Sequence, residues 1–226
     1  QPKKQDIEAR YLSQYFFSKL IQSIDDKFEV EITDSTYMYL VCNDKKTMFH
    51  FDVMNNPKES HAFGRAIKKL SIEEWEKWRN GLYHTIGNFT PVPWPVMQYG
   101  SINMQDIHKG LDERWDLFLK LCQSEWPCLK KYSIHIDFQS YIKFTCQEIY
   151  FVEIYDLFND KFGTQHIEDL SNEELLSWYN EISMIDLSNK KIVTFGNDLL
   201  NDVRNINRLI AIRGRLMMAL VLRNRQ

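Results

Sequence analysis

Leu199, Val203, Ile206, Ile210, Gly214, Met217 and Val221 recur at intervals of four and three near the end of the chain. That spacing is one continuous helical face, and it predicts a helix from near Asn197 or Asp198 to about Arg223. A face that long has to be covered, so the rest of the chain must supply elements that pack on it. Gly214, on the apolar stripe, predicts close approach of another segment rather than chemistry. At about 100° per residue, Arg204, Arg208 and Arg215 fall in a narrow arc well away from the stripe. Residues 204–226 hold six arginines and no acid, so they carry +6 and leave −9 on the remainder of a chain whose formal charge is −3. One reading is an arginine rail that meets nucleic-acid phosphates or an acidic protein partner, because guanidinium forks bind phosphate in a bidentate way. The other is that these arginines pair with acidic helices of their own fold, which the −9 balance favours. The helix lacks the interleaved aromatics of a single-strand binding platform.

The rest of the composition narrows the class. A chain of 226 residues with 44% apolar and 26% charged residues is long enough for a proper core and is not a disordered composition. Aromatics at 14% supply buried area without disulfide staples. Cys42, Cys122, Cys128 and Cys146 form no C-x-x-C pair and read as free thiols of a reducing cytosol. The polar start QPKKQDIEAR has no signal region, and the longest apolar run, Leu216 to Leu222, is too short to span a bilayer. The expectation is therefore a cytoplasmic protein without a membrane segment.

Along the chain, Asp6 to Ile24 reads as an amphipathic helix with Ile7, Tyr11, Tyr15, Leu20 and Ile24 inward. Phe28–Ile32, Tyr37–Cys42 and Met48–Val53 read as strands of a small antiparallel meander, with turns at Asp34-Ser35 and Asn43-Asp44. Ser71 with Glu74, and Ser171 with Glu174, are capping boxes that open helices, the second running to about Met184. Gly81 to Ser101 is expected to be irregular, because Pro91, Pro93 and Pro95 forbid helix and disfavour a central strand. Leu111, Trp115, Phe118 and Cys122 share a helical face, with Asp112, Glu113 and Asp116 elsewhere. A long helix is expected from about Ser133 through Val152, with Glu148, Glu153 and Asp156 on a solvated face. The fold class is mainly α (α+β). It is one domain over residues 1–226, with a small β-containing part at about 1–57 and a helical body at about 71–226.

The distinctive segment is HTIGNFTPVPWP from His84 to Pro95, followed by MQYGSINMQDIHKG. His84, Asn88, Asn103, Asp106 and His108 lie close together in sequence, and histidine with carboxylate could supply a base and metal ligands for phosphodiester cleavage. Each also has a structural reading: Asn88 closing a turn after Gly87, Asn103 capping the next helix, and His84 satisfying backbone carbonyls under the Trp94 loop. His-Thr-Ile-Gly-Asn-Phe-Thr-Pro, then Ser-Ile-Asn and Glu-Arg-Trp-Asp-Leu, resembles an uncharacterised family of small bacterial proteins. That resemblance covers residues 37–160 in outline and implies a bacterial or prophage origin without an assigned activity. His84 through Thr90 and then Asn103 are also similar to a segment of HNH nuclease domains in modified-DNA restriction enzymes. Those domains need an upstream Asp-His pair on a strand, and Phe49-His50-Phe51-Asp52 does not match it.

Two functions stand at this point. The leading one is a bacterial cytosolic binding or regulatory protein of the phage-defence or mobile-element kind. Its binding residues would be Asn88, Trp94, Asn103, Arg204, Arg208 and Arg215, with no cofactor evident. The alternative is a metal-dependent, HNH-like nuclease with His84, His108 and Asp106 as catalytic residues and Asn88 positioning. Only this second reading calls for a divalent metal.

Overall fold

The computed structural model describes residues 4–25, 27–33, 37–58, 61–83, 85–94, 106, 107, 109–111, 114–163, 165–194 and 199–223, with side chains from Tyr11 onward and, in the last helix, from Val203. Helix α1 (Lys4–Ile24) leads into three antiparallel strands, β1 (Glu29–Ile32), β2 (Tyr37–Cys42) and β3 (Lys45–Val53). Asn43 and Asp44, at φ 49° and 62°, both take the left-handed conformation that a two-residue hairpin loop demands. The Asp34-Ser35 turn lies outside the described residues. Met38, Leu40, Phe49 and Phe51 alternate onto the buried face of the sheet, where Phe17 of α1 meets Phe51 at 5.4 Å between ring centroids. Leu20 is buried as predicted, but the inner face of α1 is otherwise corrected: Tyr11 and Tyr15 are half exposed, and Phe17 and Ile21 are buried instead.

After α2 (Ala62–Ile67) and α3 (Ile72–Gly81), the expected irregular stretch contains a fourth strand, β4 (Phe89–Pro93). It pairs with β3 and closes the sheet in the order β1-β2-β3-β4. The sheet is thus not confined to the first 57 residues. The prolines are tolerated because β4 is an edge strand. Pro91 lies opposite Phe51 and Pro93 opposite Phe49, so both nitrogens turn to the same side of the strand, and at an edge that side can face away from β3. On β4 the Pro91 carbonyl accepts a hydrogen bond from the Tyr141 hydroxyl at 2.9 Å instead.

Helix α4 (Trp115–Leu129) buries Trp115, Phe118 and Cys122 as their spacing predicts, and Trp126 besides. Asp116 is not on an outer face: it is fully buried and held by the Arg114 fork at 2.9 and 2.6 Å. The predicted long helix from Ser133 is broken into α5 (Phe138–Phe144), a 3-10 turn at Glu148–Tyr150 and α6 (Val152–Phe162). Asp137 caps α5, accepting from the Ser140 amide at 2.7 Å. The Thr145 hydroxyl folds back on the carbonyls of Tyr141 and Ile142, and Cys146 follows at φ 48°. Polar capping at both ends of α5 overrides an apolar period that reads as continuous.

Helix α7 (Asn172–Ile182) begins at a complete capping box on Ser171 and Glu174, and α3 begins at the matching one on Ser71 and Glu74. Ser171→Ala is expected to lower stability by about 1 kcal/mol, read as a shift of the urea midpoint at unchanged slope. The last helix, α8 (Leu199–Arg223), runs through the middle of the fold. Val203, Ile206, Ile210, Met217 and Val221 are buried, as the stripe predicts. So are Leu209, Ile212, Leu216 and Leu220, which lie beyond it. Buried apolar residues from α1 to α8 form one continuous cluster. Among the described residues no helix is long and apolar enough to cross a membrane.

Candidate functional site

The two segments singled out in the sequence meet at one junction. Beyond Tyr83 the chain turns through Ile86–Asn88 and enters β4, and this turn lies directly on α8. A Cβ added to Gly87 would stand 2.3 Å from the Ile210 carbonyl oxygen and 3.0 Å from the Gly214 nitrogen. Backbone therefore packs on backbone there, the close approach that Gly214 predicts. Only a residue without a side chain fits the turn at Gly87.

Asn88 is fully buried and its amide is used four times. Its Oδ1 accepts from the backbone N–H of Asn55 at 3.1 Å and from the Asn55 side chain at 3.0 Å. Its Nδ2 donates to the carbonyls of Asn55 at 3.1 Å and Tyr83 at 3.0 Å. The Met54 amide donates to the Asn88 carbonyl at 2.8 Å, so Asn88 clamps the end of β3 to the start of β4. An amide side chain is needed because the position asks for donor and acceptor at once. Asn88 therefore does turn-closing work inside the fold and shows no atom to a ligand. Thr90, also buried, accepts from Gln147 at 2.7 Å.

Arg213 completes the junction. It is fully buried, its Nε donates to the Thr145 carbonyl at 2.8 Å, and its Nη1 donates to the carbonyls of Gly87 at 2.7 Å and Phe89 at 2.8 Å. One guanidinium thus ties α8 to the C-cap of α5, to the middle of the Ile86–Asn88 turn and to the first residue of β4. Its neighbour Tyr150 has a phenol that burial pushes up and Arg213 draws back down.

The other described arginines of α8 also serve the fold. Arg204 reaches Glu74 at 3.0 Å, the same carboxylate that completes the capping box of α3. Hydrogen bonds from Ser71, followed by Arg204, hold the Glu74 carboxyl below its usual range. Arg208 donates to the carbonyls of Gly163 at 2.7 Å and Gln165, and covers the Phe158 ring. Arg215 donates to the Leu170 carbonyl, and Arg223 to that of Ser23 at 2.7 Å. Ser23, Thr145 and Gly163 sit in the last turn or C-cap of α1, α5 and α6, where helix carbonyls have no intrahelical donor. The arginines of α8 supply those donors. Among the described arginines the expected pairing with an acidic helix is met by Arg204 alone, and the others use backbone oxygens instead.

Trp94 stands apart. It is half-buried at the end of β4, edge-on to Tyr37 at 4.6 Å and 6.3 Å from His50. Tyr37 and His50 are register partners on β2 and β3, so the three rings gather on the sheet face opposite Phe49 and Phe51. Asp106 is exposed and pairs with Lys109 at 3.7 Å. His84, Asn103 and His108 lie outside the described residues, so their relation to Asp106 is not part of this geometry. Arg213 and Glu148 are the residues that sequence reasoning missed: the first was counted only as charge, and the second was placed on a solvated face although it is buried. Comparison with family models, curated proteins and solved structures finds no match.

Proposed function

We propose that this chain acts by binding rather than by chemistry, as a bacterial cytosolic binding or regulatory protein of the phage-defence or mobile-element kind. Its partner is a protein, engaged on the sheet face around Trp94 and Tyr37. The observation that carries this reading is the use already made of the polar groups a nucleic-acid or phosphodiester site would need. Asn88 and Arg213 are buried and hydrogen-bonded, and Arg204, Arg208 and Arg215 hold partners within the fold. On this face Glu29 lies beside Val41, and Glu31, beside Tyr39, is ion-paired with Lys46 at 2.7 Å, so these groups offer a polyanion no surplus of positive charge. Half-buried aromatics such as Tyr37 and Trp94 are the residue types that anchor protein interfaces.

The competing reading, a metal-dependent nuclease using His84, Asp106 and His108, is separated by one set of assays. Labelled RNA and DNA are incubated with Mg²⁺ or Mn²⁺ and wild type or His84→Ala, and are titrated at two salt concentrations with wild type or Arg204→Ala/Arg208→Ala. The expected result is no His84-dependent cleavage and no salt-steep binding lost with the arginines. Cleavage abolished by His84→Ala would overturn the binding reading in favour of the nuclease. A photo-crosslinking residue at position 94 is expected to form protein adducts and no nucleic-acid adducts.

A further inference from the structure

We propose that Glu148 is a proton-operated latch on the seam joining the Glu148–Tyr150 turn, α7 and α8. The carboxyl is buried in the continuous core. Its Oε1 accepts from the Tyr179 hydroxyl of α7 at 3.1 Å, and its Oε2 is enclosed without a hydrogen-bond partner. The groups that face it can be named element by element. Its own turn brings Cys146 and Tyr150, α5 brings Lys143, α7 brings Tyr179, and α8 brings Arg213 and, behind Tyr179, Arg223. None of the cations is hydrogen-bonded to it. Arg213 directs Nε and Nη1 to the carbonyls of Thr145, Gly87 and Phe89, and its Nη2 is buried without a hydrogen-bond partner.

A buried carboxylate with one oxygen left unpartnered is poorly stabilised, whereas the neutral acid asks for fewer partners. Burial accordingly pushes the Glu148 carboxyl up to about 7, with its own backbone amide, Tyr179, Lys143 and Arg213 opposing. In an opened state the carboxyl is solvated and titrates near its ordinary value of 4.5. The closed seam therefore holds its proton more tightly than the open one. Closure is strongest below the ordinary value, weakens as pH rises through the interval, and levels off once the buried group itself ionises. The chain sets the seam's opening against pH in the neutral range.

Native-state hydrogen exchange tests this on the intact chain. Amide protection in α7 and the Glu148–Tyr150 turn is measured at pH 5, 6, 7 and 8, corrected for intrinsic rates and divided by that of α4. Wild type is expected to lose about tenfold per pH unit up to about pH 7, with a plateau above it. Glu148→Gln is expected to hold the acid-side ratio at every pH. A flat wild-type ratio, or a slope that survives Glu148→Gln, overturns the proposal, and so does equal loss in α4, which would make Glu148 a global stability group. Tyr179→Phe serves if the first variant fails to fold. Losing the donor to the carboxylate should move the plateau to higher pH, and an unmoved plateau counts against the latch.

Discussion

Arg213→Ala is expected to leave little folded protein at room temperature. Three buried carbonyls, those of Thr145, Gly87 and Phe89, lose their donor at once. Each buried polar group left without a partner costs about 1–3 kcal/mol, and the vacated guanidinium volume adds a cavity cost. The sum reaches about 5 kcal/mol or more, comparable with the whole stability of an ordinary domain. Arg213→Lys should be less severe and still damaging, because one ammonium on a flexible stem cannot reproduce a planar fork aimed at both the α5 C-cap and the Ile86–Asn88 turn. Arg204→Ala is the contrast: its partner is a solvated carboxylate, so the urea midpoint should stay in place. The ranking of the three variants by urea midpoint checks the assignment without any knowledge of function.

Gly87→Ala comes second, and its asymmetry with Gly214→Ala is the sharper result. The added Cβ at Gly87 meets the Ile210 carbonyl oxygen at 2.3 Å, and neither partner is a flexible side chain that could move aside. The turn would have to lift off α8, which strains the hydrogen bonds of Arg213 and Asn88 together, so a loss of about 3 kcal/mol or more is expected. A Cβ at Gly214 meets only Gly87 atoms at 3.5 and 3.6 Å, an ordinary contact. Gly214 lies inside a helix, where alanine is favoured by up to about 1 kcal/mol, so Gly214→Ala should be neutral or stabilising. The two substitutions face each other across one contact, yet only Gly87→Ala should lower the thermal midpoint.

Much of this architecture was legible before the fold was seen, and the failures have identifiable causes. Both capping boxes, the Asn43-Asp44 hairpin and the α8 stripe are local patterns, and they appear as read. The missed strand Phe89–Pro93 depends on its being at an edge, a tertiary fact that proline content alone cannot convey. The over-long helix came from an apolar period that continues through Thr145 and Cys146, where local hydrogen bonds stop the helix.

The candidate site was half legible. Counting arginines showed the charge of α8 but not its division into roles. A helical wheel would have separated them, since Arg213 lies about 60° from Ile210 and about 40° from Leu209, inside the apolar arc, while Arg204, Arg208 and Arg215 lie opposite. An arginine at such a position has to find buried acceptors. Nothing in the sequence says that those acceptors are the carbonyls flanking the Gly-Asn turn, because that pairing spans more than a hundred residues.

The central claim is that the His-Thr-Ile-Gly-Asn-Phe segment and the arginine-bearing helix form one structural junction held by Arg213. Side-chain ¹⁵N–¹H NMR of the arginines addresses it directly in the intact chain. The account predicts one guanidinium with slowly exchanging Nε–H and separately resolved Nη signals, absent in Arg213→Lys. An Arg213 side chain that exchanges with water and rotates as freely as Arg204 would contradict it.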